Sequence, residues 1–255
     1  MAEPAGPEDL RRARSLFEHD RVWCAYALAD LEPPYADRTS WFVGERAAAM
    51  LYRGLTPPIL FAHGEPEEVD RLLRALPPGE VQYGLLATHR VRLGARLQSA
   101  REVHMWRMCL RPAGFPAGAG EGSVVLRPDD LAEIVALFDG HADRPDSFET
   151  LQLEHGLFFG VRQGERLVAA AGTHVLSESA SVAAVGNVFT DPAHRRRGHG
   201  RRASAGLVTE LLRRGLRTIV LNVAMANDAA LALYRGLGFM PFCGYYEGVG
   251  ELREG

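Results

Sequence analysis

The chain has 255 residues, of which 47% are apolar, and its 29 basic and 32 acidic residues leave a net charge of −3. This length can supply the core of one large or two ordinary domains, and the weak acidity argues against a general binder of polyanions. No apolar run reaches the roughly 18 residues of a membrane helix and the start is acidic and broken by prolines, so we expect a cytoplasmic protein without a membrane partner.

The cysteines and histidines show no spacing that a metal or redox site requires. Cys24, Cys109 and Cys243 are far apart, and the 9 histidines are scattered. An odd number of free thiols is typical of a reducing compartment. We therefore expect no metal ion.

The first half alternates predicted helices and short strands. Helices are expected over 7–18 and 67–76, and strands near 41–43, 48–52, 59–62, 81–86 and 103–110. Residues 113–122 are rich in Pro, Gly and Ala and have no period, which predicts a linker. The expected domains are therefore 1–112 and 123–255.

The second half is predicted to be a mixed sheet flanked by helices, which is an α/β (α+β mixed sheet) fold. In chain order we expect a strand at 123–127, helices at 130–138 and 146–154, strands at 157–161, 167–175 and 182–190, a helix at 201–214, a strand at 218–223, a helix from 227 and a final hairpin at 242–247.

A turn rich in Arg and Gly, from Arg195 to Gly200, separates the strand at 182–190 from the next helix. The first N–H groups of a helix have no intrahelical partner and can receive phosphate oxygens. Gly198 and Gly200 have no Cβ and permit a close approach. On this turn alone, a pyrophosphate site and an ordinary solvated turn are equally good interpretations.

A second motif follows the next strand and decides between them. Asn227 suits a helix N-cap, and Ala230, Leu233 and Tyr234 share a face of the helix that Gly238 follows. The two motifs in this order resemble the cofactor motifs of the GNAT superfamily of acyl-CoA N-acyltransferases, over most of residues 123–250. The stretch around Val188-Phe189-Thr190 especially resembles the branch with glycine N-acyltransferase-like C-terminal domains.

The resemblance implies acetyl-CoA as co-substrate and assigns a role to each motif residue. Tyr234 would be the catalytic acid that protonates the leaving thiolate, and the alternative for Tyr234 is a core aromatic residue. Asn227 would bind the pantetheine arm. Arg196, Arg197, Arg201 or Arg202 could also reach the 3′-phosphate. The implied cofactor-binding residues are Val188, Phe189, Thr190, Arg195, Arg196, Arg197, Gly198, His199, Gly200, Arg201, Asn227 and Tyr234.

The general base is not evident. Some relatives carry a glutamate five residues before the motif asparagine, where this chain has Asn222, and others carry one on the strand before the turn, where residues 182–189 include no acid. A water chain, or an amine that arrives neutral, would also serve. A histidine has a pKa suited to neutral pH, although a single histidine among apolar residues is more often a core residue. The candidate side chains are His174, Glu178, Asp146, Glu149, Glu154 and His155.

The implied reaction is acetyl transfer to a primary amine of a small molecule or peptide, by direct attack in a ternary complex. A catalytically silent acyl-CoA sensor is the alternative, and nucleic-acid binding is disfavoured because no aromatic residues interleave the arginines. Acids within 139–155 and 245–251 favour a cationic acceptor. The oligomeric state is left open between monomer and homodimer.

The N-terminal half resembles a shortened, degenerate copy of the same fold, so the expected architecture is a tandem of GNAT-like folds. Where its pyrophosphate turn would fall, the chain carries Glu65, Glu67 and Glu68 at a helix start, and these carboxylates would repel phosphate while capping the helix. We expect no acyl-CoA there. Its aromatic residues could line an acceptor pocket, but most are expected to form the core: Trp23, Tyr26, Tyr35, Trp41 and Trp106.

Overall fold

The computed structural model describes residues 5–145 and 147–254. Apart from short 3-10 turns, its elements in chain order are α1 (Pro7–Glu18), α2 (Ala25–Asp30), β1 (Thr39–Val43), β2 (Ala47–Tyr52), β3 (Ile59–Gly64), α3 (Pro66–Arg74), β4 (Gly79–Leu85), α4 (Ala87–Leu93), β5 (Leu97–Leu110), β6 (Val124–Leu126), α5 (Leu131–Phe138), α6 (Thr150–His155), β7 (Phe158–Gln163), β8 (Arg166–Ser177), β9 (Val182–Thr190), α7 (His199–Arg213), β10 (Thr218–Ala224), α8 (Asp228–Arg235) and β11 (Phe239–Leu252).

These elements form two compact units. Unit 1 contains the chain up to Arg107, Val223–Asn227 and the residues from Pro241 onward, and unit 2 contains Met108–Asn222 and Asp228–Met240. Strands β5, β10 and β11 therefore contribute residues to both units. Each unit has its own apolar core.

Unit 1 is a mixed sheet with strand order β1-β2-β3-β4-β11-β5. Strands β3 and β4 run parallel, while β1 with β2, β2 with β3 and β4 with β11 are antiparallel. The α3 helix supplies Val69 and Leu73 to the core beneath this sheet. Trp23, Tyr35 and Trp41 are buried as expected.

Unit 2 has strand order β10-β9-β8-β7-β6. Only the β9 and β10 pair is parallel, because α7 carries the chain across between them. The apolar side of α7 faces the core, where Ala205, Leu207, Val208 and Leu211 are fully buried. This arrangement places the start of α7 next to the end of β9.

The compact units do not follow the expected domain boundaries. Residues 113–122, expected to be a linker, belong to unit 2, while β11 from Pro241 onward belongs to unit 1. The physical reason is strand pairing: β11 pairs with β4 from Tyr246 opposite Leu85 to Leu252 opposite Gly79. A single cut along the chain cannot separate the two units, because a strand near the C-terminus pairs with a strand of the first half.

Two element predictions differ from the structure. The expected hairpin at 242–247 is wrong, because β11 is a single strand. Gly248 and Gly250 let β11 approach β5, where an added Cβ would lie 2.5 Å from the Arg101 carbonyl oxygen and 2.6 Å from that of Gln98. The helix expected from residue 146 begins at Thr150, and Asp146 lies outside the described residues.

The acidic helix start in unit 1 is arranged differently from expectation. No side chain caps α3. Glu68 instead accepts hydrogen bonds from the backbone N–H groups of Glu45 (3.0 Å) and Arg46 (2.7 Å), which fastens the turn between β1 and β2. These bonds lower the Glu68 pKa against the burial that would raise it. No helix formed by the described residues is long and apolar enough to cross a membrane.

Candidate active site

The parallel strands of unit 2 pair over only part of their length. Their register runs from Val182 opposite Thr218 to Val185 opposite Leu221, while β9 continues to Thr190. Beyond Val185, the β10-facing backbone groups of β9 are therefore available to another partner. Val188 and Thr190 lie in this segment and are half-buried, whereas the Phe189 side chain belongs to the core.

A bulge in β9 marks the same segment. Ala170 lies opposite Phe189 and Gly172 opposite Gly186, so β9 has one extra residue there. Asn187 adopts a positive φ of 50° at the bulge and donates from Nδ2 to Gln152 Oε1 at 2.7 Å. Gln152 in turn donates to the Ser147 carbonyl at 2.9 Å. This chain of hydrogen bonds fixes α6 beside the bulge.

The turn after β9 is held by two ion pairs. Asp191 accepts from the Ala193 N–H at 2.9 Å and pairs with Arg166 at 2.6 Å. Arg195 donates to the Thr190 carbonyl at 3.0 Å and pairs with Asp143 at 2.7 Å. The Arg195 side chain therefore stabilises the turn through these two contacts, and it is the Arg195 backbone that could face a phosphate.

The start of α7 has the geometry of an anion site. Its first backbone bond runs from the Arg202 N–H to the Gly198 carbonyl (3.0 Å), so the N–H groups of His199, Gly200 and Arg201 have no intrahelical acceptor. Gly198 has φ +79°, with open space where a Cβ would be. At Gly200 a Cβ would lie 2.9 Å from Thr190 Oγ1. Both glycines are thus required, one for its conformation and one for close packing.

The charges around this turn are positive. Arg196 and Arg197 are exposed, and within residues 5–145 and 147–254 neither they nor Arg202 form an ion pair. His199 is buried, and its burial and then the charges of Arg202, His194 and Arg197 lower its pKa. His199 is therefore neutral at pH 7. Arg201 is exposed and makes a long contact of 3.4 Å to the Gly236 carbonyl.

Tyr234 lies on α8 with its side chain 8% exposed and its ring 6.1 Å from that of Phe239. Burial raises its pKa to about 12, with no charged or hydrogen-bonding group contributing. The hydroxyl therefore keeps its proton at neutral pH and can donate it in a hydrogen bond. Asn227 is exposed, immediately precedes α8 and donates its backbone N–H to the Ala224 carbonyl at 2.9 Å.

The structure separates the candidate bases. The His174 ring lies against Gly186, where an added Cβ would be 2.1 Å from Nε2, and Gly186 adjoins the bulge. Glu154 and His155 are exposed on α6. Glu149 lies at the start of α6 and its N–H donates to Gln152.

Glu178 lies away from the turn. It pairs with Arg214 at 2.9 Å, beyond the C-terminal end of α7. Because α7 has 15 residues, its ends are about 22 Å apart. Glu178 therefore lies far from the glycine turn at the α7 N-terminus.

Comparison with known proteins agrees with this geometry. Residues 129–239 match the model of the acetyltransferase (GNAT) family. The chain is 36% identical over 114 residues to the [ribosomal protein bS18]-alanine N-acetyltransferase of Salmonella typhimurium and covers 74% of that protein, with 38% of this chain aligned. The chain belongs to the GNAT family.

The GNAT match to curated relatives is confined to part of the chain. The Escherichia coli [ribosomal protein bS18]-alanine N-acetyltransferase is 38% identical over 93 residues, which are 36% of this chain and 61% of that protein. The chain thus spans about three fifths of the length of this relative.

Solved structures extend the likeness in fold to most of the chain. A GCN5-related N-acetyltransferase from Kribbella flavida superimposes with a TM-score of 0.62 and 19% identity, over 91% of this chain and 94% of that one. A Drosophila protein reaches a TM-score of 0.70 at 13% identity, over 99% and 98%. At these identities the likeness concerns the fold, which is the mixed α/β fold expected from the sequence.

Two residues at this site had no predicted role. Asn187 comes directly before Val188 of the GNAT-like stretch, and Gln152 lies in the helix predicted at 146–154. An asparagine within an apolar strand is itself a signal, because it tolerates a positive φ better than most residues. Nothing in the sequence identified Gln152 as its partner.

Proposed function

We propose that the chain is an N-acetyltransferase that transfers the acetyl group of acetyl-CoA to a primary amine of a small molecule or peptide, by direct attack in a ternary complex. The observation that carries this proposal is the start of α7, where free N–H groups, Gly198 and unpaired arginines meet. Membership of the GNAT family supports the same chemistry.

The proposed cofactor site uses backbone more than side chains. The N–H groups of α7 would receive the pyrophosphate, and Arg196, Arg197 and Arg202 would supply charge to the phosphates. The edge of β9 from Val188 to Thr190 that β10 does not cover would hydrogen-bond the pantetheine arm. The acyl carbonyl would then lie near the β9 bulge.

In the proposed reaction the neutral amine nitrogen forms a bond to the thioester carbonyl carbon, and the carbon–sulfur bond then breaks. Tyr234 gives its phenolic proton to the departing sulfur and then takes up a proton from solvent. The amine proton passes to solvent through water, and His174, whose ring lies against Gly186 beside the bulge, is a side chain that could receive it. Products are the acetylated amine and CoA with a free thiol.

The experiment is a coupled measurement of thiol release and acetyl-CoA affinity. The full chain is mixed with acetyl-CoA and a panel of cationic, neutral and anionic amines, including peptides with a free N-terminus. Amine-dependent release of CoA thiol, greatest for cationic acceptors, is expected. Saturable acetyl-CoA binding without turnover on any amine would favour the silent sensor and contradict the enzyme.

The charge requirement is tested with arginines at the two ends of α7. Arg197→Gln should weaken acetyl-CoA binding several-fold and more strongly at low salt, since it removes an exposed positive charge near the phosphates. Arg213→Gln is the matched control, because Arg213 lies at the other end of the helix and pairs with Glu210. Equal effects of the two substitutions would contradict this location.

We also propose that unit 1 derives from a second, degenerate GNAT-like fold without an acyl-CoA site. The order β3, α3, β4, α4, β5 repeats the order β9, α7, β10, α8, β11, and the pair at its centre is parallel in both. In place of the glycine turn, α3 begins with Pro66, which lacks an N–H, followed by Glu67 and Glu68. A phosphate would meet fewer donors and more negative charge there.

A further inference from the structure

Unit 1 buries an arginine that has no acidic partner among residues 5–145 and 147–254. Arg107 lies on β5 and is 3% exposed. Its guanidinium carbon is 4.7 Å from the ring centre of Tyr26, 5.2 Å from that of Trp23 and 5.8 Å from that of Tyr245. Within the described residues, its buried Nε and Nη1 atoms have no hydrogen-bond acceptor. We call these four side chains the Arg107 cluster.

The aromatic faces stabilise the buried charge of Arg107 but supply no acceptor for its N–H groups. Trp23 Nε1 is a further buried donor without an acceptor in the described part of the chain. The cluster therefore holds buried donors that lack acceptors among the described residues.

The nearby acids are either hydrogen-bonded to Tyr245 or Trp23 of the cluster or uncharged. Glu247 accepts from the Tyr245 hydroxyl at 2.7 Å, and Asp20 accepts from the Trp23 backbone N–H at 3.3 Å. Burial raises the pKa of Asp30 to about 8, so this carboxyl is protonated at neutral pH. Among residues 5–145 and 147–254, none of these acids forms an ion pair with Arg107.

We propose that the Arg107 cluster is a binding site for a small carboxylate. A planar carboxylate matches a planar guanidinium in hydrogen-bond geometry and in charge. Trp23 Nε1, in the same cluster, supplies a further donor. Tyr26 and the neighbouring Cys243 are only partly buried, which leaves an approach from outside. This site lies wholly within unit 1 and does not depend on acetyl transfer.

Calorimetric titration of the full chain tests the site directly. Sodium benzoate and sodium acetate are the probes, in the absence of acetyl-CoA, with sodium chloride holding the ionic strength constant. One carboxylate per chain is expected. Arg107→Met should weaken its binding at least tenfold. Arg101→Met is the matched control, since Arg101 is an exposed arginine on the same strand, and it should leave the affinity unchanged.

Two further measurements guard against a variant that does not fold. Trp23→Phe keeps the aromatic ring but removes the N–H, and it should weaken benzoate several-fold. Crystals of the wild-type chain grown with 4-bromobenzoate should show the bromine signal beside Arg107. The proposal is overturned if the wild type shows no saturable carboxylate binding, if Arg107→Met binds as well as wild type, if the bromine lies elsewhere, or if inorganic phosphate binds more tightly than both carboxylates.

Discussion

Tyr234 can act as a proton donor because its environment keeps the hydroxyl protonated. Burial is the only influence on its pKa, and no described residue accepts a hydrogen bond from the hydroxyl. A phenol that only filled the core would more commonly satisfy its hydroxyl within the protein. The structure therefore leaves this proton available to a ligand.

Tyr234→Phe should separate catalysis from binding. Loss of a general acid lowers turnover by a factor on the order of 10² or more, while the ring packing on Phe239 is kept. Thiol release should fall accordingly, and calorimetry should give nearly unchanged acetyl-CoA affinity. If the affinity falls in step with turnover, the tyrosine is a binding or core residue instead.

Asp30 should make the protein less stable as the pH rises. Its carboxyl keeps a proton in the folded state up to a pH of about 8, whereas the unfolded carboxyl loses it near pH 4. The folded state therefore binds more protons between these values, and the free energy of unfolding decreases as pH rises through this window and levels off above it.

Asp30→Asn should remove this dependence, because the amide stays uncharged at every pH. As the pH rises from 5 to 8, the free energy of unfolding of the wild type should fall by about 3 kcal/mol relative to that of the variant. Denaturant unfolding at the two pH values measures the difference. Asp37→Asn, at an exposed position of unit 1, is the control and should follow the wild type. Parallel pH profiles for Asp30→Asn and wild type would contradict the assigned protonation.

At the scale of elements, α7 has left-handed glycines at both ends. Gly198 precedes it with φ +79° and Gly215 follows it with φ +78°, and a Cβ at either would meet open space. The two sites therefore have the same conformational requirement, and only the first lies among the free N–H groups.

Gly198→Ala and Gly215→Ala should each cost roughly 1–2 kcal/mol of stability from backbone strain. Acetyl-CoA affinity should fall at least tenfold in Gly198→Ala alone, because the methyl group occupies the space a phosphate would approach. Thermal unfolding and calorimetry measure the two effects separately. A similar loss of affinity in both variants would mean that stability, and not the site, is responsible.

The sequence predicted those features of this site that depend on residues close together in the chain. Helix α7, its apolar stripe and the glycine turn follow from periodicity and from the conformational freedom of glycine. The β9 bulge and the Asn187 to Gln152 bond join residues far apart in the chain, so no local pattern reveals them. The same holds for Arg195, whose charge suggested a phosphate ligand but whose partners are Asp143 and the Thr190 carbonyl.

At the scale of the whole molecule, the order of elements was easier to predict than the division into units. The sequence indicated most strands and helices but not α2 or α4, and it did not reveal that β11 pairs with β4 of the first half. Strand pairing over such a separation depends on long-range packing, which composition does not report. The Arg107 cluster was missed for the same reason, since Trp23, Arg107 and Tyr245 come from three distant segments.

The measurement that tests the account most directly is calorimetric titration of the full chain with acetyl-CoA. One site per chain is predicted, lost or strongly weakened in Gly198→Ala and retained in Gly215→Ala. Two sites per chain would contradict the proposal that unit 1 has lost its acyl-CoA site. No binding by the wild type would contradict the proposed function itself.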